Sequence, residues 1–200
     1  MADLTLDVDA AVSEVAKFQD FSNRRVQLAV KRAIRKTLRW VHREILRYVS
    51  QESGVAQKKF KQYRRVKLVT NKQDSYVWIG LNPLPLHEAG RVSWNPASSG
   101  ARVAGKTYEG AFYRSVYSAQ QKVWIRSSRN KKLGHATYHP KKRYHAYGSG
   151  PSRGRFPVEL LGVDMEDLPD DVGRRIEKRA ESRMVTLLEQ ELNYALNHER

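Results

Sequence analysis

Three clusters of side chains in this chain have types and spacings suited to chemistry. Asp164, Glu166, Asp167, Asp170 and Asp171 crowd carboxylates into one short stretch, and acids so spaced can hold Mg²⁺ for metal-assisted cleavage of a phosphodiester. His135, His139 and His145 offer three imidazoles, the ligand number of a zinc site. His87 beside Glu88, and His42, carry groups able to move protons. Each cluster also has a plainer reading. The acids open a helical pattern, where the positive end of the helix dipole favours carboxylates. The three histidines lie in a strongly cationic stretch with no acid to orient them. His42, His87 and Glu88 fall at surface or edge positions. Nothing sets a serine beside a base, so acyl transfer is not expected. Nucleotide hydrolysis wants a glycine-rich loop between strand and helix, whereas Gly148, Gly150 and Gly154 sit in a basic loop. The expectation is a protein without catalytic residues, metal or cofactor.

The elements that would position any site are legible from periodicity. Val26, Val30, Ala33, Thr37, Val41, Ile45 and Val49 recur every three or four residues, which predicts one long amphipathic helix over about 22–52. Ser22 or Asn23 would cap it and Gly54 would end it. At about 1.5 Å per residue it reaches roughly 45 Å, longer than a small domain is wide, so it is expected to project or to lie along a partner. Its polar face carries Arg24, Arg25, Lys31, Arg32, Arg35, Lys36, Arg39, Arg43 and Arg47, with Glu44 among them. Ion pairs within the helix cannot neutralise such a face.

A short helical pattern around Val12–Phe18 precedes this helix, and 55–63 offers another turn or two. Arg65–Thr70 and Ser75–Leu81 are rich in β-branched and aromatic residues and flank a polar turn, which predicts a hairpin with Tyr76 and Trp78 on one face. Residues 82–100, with three Pro and two Gly, read as an ordered but irregular loop. Strands are expected at Ala101–Val103, Thr107–Ser115 and Gln121–Arg126. A second long helix over 169–198 carries Val172, Ile176, Ala180, Met184, Leu188, Leu192 and Ala195 as its core stripe. The fold class is therefore α+β: a small antiparallel sheet packed against two long helices, N-terminal and C-terminal, with a basic irregular loop. One domain over 1–200 is expected, with 1–63 helical, 64–126 sheet, 127–155 basic loop, and 156–200 strand and C-terminal helix.

Over 200 residues, 37 Lys and Arg stand against 21 Asp and Glu, a net charge of +16. Such self-repulsion calls for an anionic partner: nucleic acid, an acidic protein surface or a membrane face. The absence of Cys rules out disulfides, thiol catalysis and Cys-based zinc or iron–sulfur sites. No run approaches the roughly 18 apolar residues of a membrane span, and the acidic start lacks the basic region of a signal peptide, so a cytosolic product without membrane contact is expected. From 110 to 158 there is no acid, while Arg126, Arg129, Lys131, Lys132, Lys141, Lys142, Arg143, Arg153 and Arg155 alternate with tyrosines, histidines, glycines and serines. This composition cannot order itself alone. It suits phosphates with rings stacking on bases, or an acidic protein channel.

The order of segments carries a resemblance. Val26–Ser50 is an early basic helix; Gly105-Lys106-Thr107-Tyr108-Glu109-Gly110-Ala111-Phe112 follows; Lys122-Val123-Trp124-Ile125-Arg126 runs into a Lys/Arg-rich loop. Then come Arg155-Phe156-Pro157-Val158-Glu159-Leu160-Leu161-Gly162 and a terminal helix closing on residues 188–196. Over nearly its whole length the chain resembles the bacteriophage minor tail protein Z family, the tail-completion proteins of long-tailed phages. The resemblance implies a non-enzymatic virion component at the head-proximal end of the tail, present in the host cytoplasm during assembly. It implies contact with other tail and neck proteins (tube, terminator and connector), a homo-oligomeric ring, and contact with DNA in the channel. The residues expected to meet a partner or nucleic acid are Arg32, Arg35, Lys36, Arg39, Arg43, Arg129, Lys131, Lys132, Lys141, Lys142 and Arg143. Trp94, Tyr108 and Phe112 are the expected interface anchors. The rival expectation is a stand-alone, non-sequence-specific nucleic-acid-binding protein.

Overall fold

The computed structural model describes residues 2–4, 24–70, 75–117, 119–139, 157–166 and 168–198. The element order is β1 (Ala2–Leu4), α1 (Arg24–Ser53), α2 (Gln57–Gln62), β2 (Val66–Thr70), β3 (Ser75–Ile79), β4 (Leu84–Pro85), α3 (Leu86–Ala89), β5 (Val92–Ser93), β6 (Gly100–Val103), β7 (Lys106–Glu109), β8 (Ala111–Arg114), β9 (Lys122–Arg126), α4 (Ser127–Leu133), β10 (Val158–Leu160), β11 (Gly162–Val163) and α5 (Leu168–Asn197). The expected class holds: helices and small antiparallel sheets, with the long first and last helices packed together. The described strands form four small sheets rather than one. The pattern around Val12–Phe18 and the caps Ser22 and Asn23 lie outside the described residues.

Contacts group into two compact units. One holds α1 as far as Tyr48, β1 to β3 and α5; the other holds Val49–Arg65 and Gly80–Asp167. In the first, α1 buries Ala29, Ala33, Thr37, Val41 and Ile45, each four residues after the last. A step of four overshoots the 3.6-residue turn by about 40°, so the buried stripe winds around the helix. α5 is built the same way, burying Val172, Ile176, Ala180, Met184, Leu188 and Leu192. Val26, Ala29 and Ala33 pack with Met184, Leu187, Leu188, Leu192 and Ala195. The helices run antiparallel, because Thr37 meets Met184 (Oγ1 to Sδ, 3.3 Å) while Tyr48, farther along α1, lies under Arg175 at 4.9 Å. The long helix expected to project or to lie along a partner thus lies along α5 of its own chain. Alanines at 29 and 33 let the larger apolar side chains of α5 close in.

The sheet of this unit has the order β1, β3, β2, all antiparallel. In the β2–β3 hairpin Val66 faces Ile79, Leu68 faces Val77 and Thr70 faces Ser75. Val66, Val77 and Ile79 are buried on that side. Tyr76 and Trp78 share the other side, where Lys67 stands over the Trp78 ring at 5.4 Å.

In the second unit α1 stops at Gly54, whose φ of +68° is left-handed and whose α-hydrogen faces the Ala104 carbonyl: a Cβ there would sit 2.5 Å from that oxygen. The 82–100 loop is ordered by burying Leu84, Leu86 and Ala89, and it contains β4, α3 and β5. The expected strand 107–115 is two strands. Gly110 (φ +72°) turns the chain between them, so β7 pairs with β6 while β8 pairs with β9. The basic stretch 127–155 begins not as a loop but as α4, closed by Gly134 at φ +67°. Asn130 is the reason: its side-chain amide donates to Glu159 Oε2 (2.6 Å) and to the His135 carbonyl (3.2 Å), while its Oδ1 accepts from the His135 N–H (3.0 Å). Past α4 the chain is held again where Thr137 bridges Leu161.

Candidate docking surface

Two sets among the cations of α1 differ in what answers them. Arg32 and Lys36 are answered from within: Arg32 Nε lies 2.9 Å from one oxygen of Glu191, and Lys36 Nζ donates to the other. Glu191 is buried and comes from α5, so this counter-charge is invisible to any inspection of the first helix. Glu44 accepts from Arg47 at 2.5 Å and from Arg179 of α5 at 3.2 Å. Arginines also cover rings between the helices, Arg179 over Trp40 at 5.4 Å and Arg32 over Tyr194 at 5.7 Å.

Arg35, Arg39 and Arg43 form the second set. Stepping by four, they are exposed and make no ion pair among the described residues. Arg35 and Arg39 border a groove of about 240 Å³, completed by Leu38 of α1 and by Leu68 and Thr70 of β2.

Arg129, Lys131 and Lys132 lie on α4, all exposed. Arg129 Nη2 is 3.3 Å from Glu109, a solvated pair that holds little energy. Lys131 and Lys132 occupy the last turn, where the helix dipole favours cations. Lys141, Lys142 and Arg143 lie outside the described residues. The three expected anchors are half-buried in the second unit. Arg114 stands over Trp94 at 5.5 Å, Tyr108 meets the His135 ring edge-on at 5.8 Å, and Phe112 faces Trp124 across β8 and β9. Burial first, then the charge of Asp164, holds the Tyr108 phenol above its usual pKa.

The groups weighed for catalysis are dispersed. His139 Nε2 is 3.0 Å from the Thr137 hydroxyl, His135 Nε2 is 3.1 Å from the Glu109 carbonyl, and His145 is outside the described residues. Asp164 accepts from the Glu166 N–H at 3.0 Å, a local turn ahead of α5, and Asp170 and Asp171 fall in that helix's first turn. Among the described residues no three His, Asp or Glu stand together as a metal-binding group. Glu88 is paired with Lys59 at 2.8 Å. Among the described residues His87 Nδ1 is buried without a hydrogen-bond partner, and burial lowers the pKa of its ring, with Glu88 opposing.

The expected absence of a phosphate-cradling spacing and of a nucleophile-elbow spacing does not hold in the sequence, which contains both. Gly100-Ala101-Arg102-Val103-Ala104-Gly105-Lys106-Thr107 fits the phosphate-binding pattern Gly-x-x-x-x-Gly-Lys-Ser/Thr. The structure makes it a hairpin: Val103 pairs with Lys106, and Ala104 and Gly105 form the two-residue turn with φ of 51° and 81°. A phosphate cradle needs a loop running into a helix N-terminus, and here an antiparallel strand follows instead. Gly150-Pro151-Ser152-Arg153-Gly154 has Gly-x-Ser-x-Gly spacing and lies outside the described residues.

Compared with protein-family models, curated proteins and solved structures, the chain matches none. No described helix is long and apolar enough to cross a membrane.

Proposed function

We propose that this chain is a structural tail-completion protein of the minor tail protein Z kind: a non-enzymatic virion component at the head-proximal end of a phage tail, assembling against tube, terminator and connector proteins so that the tail can join the head. One observation carries the reading. Arg35, Arg39 and Arg43 line one side of α1 with no ion pair among the described residues, although the same helix has Arg32 and Lys36 matched by Glu191 and Arg47 by Glu44. A chain able to neutralise part of a helix but leaving a regular row bare presents that row outward. The order of segments from the basic helix to the terminal helix supplies the particular assembly. In this reading copies form a ring, and exposed cations such as Lys131 and Lys132 face acidic neighbours or the DNA path.

Electron microscopy of particles made without this protein tests the proposal. Complete heads and complete but unattached tails are expected; normal, infectious particles overturn it.

A further inference from the structure

We propose that the groove between α1 and β2 seats an extended acidic segment of a partner protein, which runs along the open edge of β2 with alternate carboxylates meeting Arg35 and Arg39. This deepens the assembly reading and rests on it, by naming what the bare row receives.

In the order β1, β3, β2, strand β2 is bonded to β3 on one side, and among the described residues nothing pairs with its other side. An unpaired edge carries a row of backbone donors and acceptors that an added strand can satisfy. The groove that includes Leu68 and Thr70 of β2 has Leu38 and Leu68 as its apolar lining, completed by Thr70, Arg35 and Arg39.

The spacing selects an extended chain. Residues four apart on a helix are separated by about 6 Å along its axis. Side chains on one face of a strand repeat every two residues, about 6.6 Å. An extended segment alternating acid with another residue therefore brings consecutive same-face carboxylates to Arg35 and then to Arg39. Each guanidinium can hold a carboxylate through two parallel N–H donors.

The apolar lining argues against nucleic acid in this groove. A phosphate backbone has no apolar side chain to place on Leu38 and Leu68, and no aromatic ring lines the groove for a base to stack on. A space of about 240 Å³ accommodates a few side chains and not a duplex.

The test uses the full chain and fluorescence anisotropy with three labelled probes: an eight-residue Asp-Val alternating peptide, its Lys-Val counterpart, and a short DNA duplex. At low salt the Asp-Val peptide is expected to bind saturably and the Lys-Val peptide not to bind. Replacing Arg35→Gln and Arg39→Gln together is expected to weaken Asp-Val binding by about tenfold. The charge-matched pair Arg102→Gln and Lys106→Gln, exposed on the other unit, is expected to leave it within about twofold. Circular dichroism melts establish that both variants fold. No saturable Asp-Val binding, equal losses in both variants, or duplex binding that disappears only with Arg35 and Arg39 overturns the proposal. Complementation separates it from the assembly reading: if the Arg35/Arg39 variant restores head–tail joining in full, the groove proposal fails and the assembly reading stands. If particles lacking the protein join normally, the assembly reading fails whatever the peptide does.

Discussion

Glu191 and Arg32, far apart in the chain, face each other at 2.9 Å across the two long helices. The Glu191 side chain is buried, and its second oxygen takes Lys36. One acid thus answers two cations one turn apart, at the level where the apolar stripes of the helices meet. Any sliding of α5 by a turn would strand a buried charge, so the pair fixes register as well as contributing energy.

Glu191→Ala is therefore expected to destabilise the fold. The Arg32 and Lys36 side chains stay 33% and 54% exposed, so water screens much of the loss. A cost of about 1–2 kcal/mol is expected, lowering Tm by about 2–8 °C. The difference from the parent chain should shrink as salt rises, which thermal melts at low and high ionic strength will read.

Asn130 joins the end of α4 to β10 through Glu159 and to the following chain through His135. Asn130→Ala leaves the His135 N–H and a Glu159 oxygen without that partner, for an expected loss of about 2 kcal/mol in urea unfolding. Asn130→Asp should cost more, since it sets a second carboxylate against Glu159, 2.6 Å from the atom it replaces.

Ala104 holds a φ of 51° in the turn between β6 and β7, a conformation costing an L-residue with a Cβ about 1–2 kcal/mol. Ala104→Gly removes that strain and gives back part of the gain as freedom in the unfolded chain. A net stabilisation of about 0.5–1 kcal/mol is expected by chemical denaturation. An unchanged or lower midpoint would show that the Ala104 methyl contributes packing worth more than the strain.

His87 gives the molecule an acid-side dependence. Burial disfavours its charged form, so its folded pKa lies below the 6.5 of a free imidazole. Between those two values the unfolded chain binds a proton that the folded chain does not, and stability falls as pH falls through that window. Above about 6.5 the contribution is fully present. His87→Phe should flatten the slope of unfolding free energy against pH below that point.

Tyr63 and Tyr108 act at the alkaline end. Burial is the main cause that raises both phenols above 10.0, so the unfolded chain loses their protons first. Stability is expected to decline as pH rises past about 10, and phenolate absorbance should show these two rings ionising late; substitution by Phe at either position should remove its share.

Some of this was legible in the linear chain because it depends on neighbours in sequence. The recurrence every three or four residues from Val26 to Val49, and every four from Val172 to Leu192, marks both long helices, though packing buries Ala29 more fully than the expected Val30; β-branched and aromatic runs mark the β2–β3 hairpin. Gly54 marks the end of α1, since only a residue without Cβ tolerates the left-handed turn against Ala104. The charge excess is also a property of composition alone. Other features depend on residues that meet only after folding. Gly110 splits what reads as one strand because β7 and β8 find different partners. The basic stretch after Ser127 becomes a helix because Asn130 is satisfied by Glu159, 29 residues on.

The candidate site shows the same division. Sequence identified the row of cations on the first helix, because residues four apart share a face whatever surrounds them. It did not divide that row, because the acid that claims Arg32 and Lys36 arrives from the last helix and the groove beside Arg35 and Arg39 needs β2 for its second wall. Local periodicity determines which side chains point together; only packing in three dimensions decides which of them are already answered.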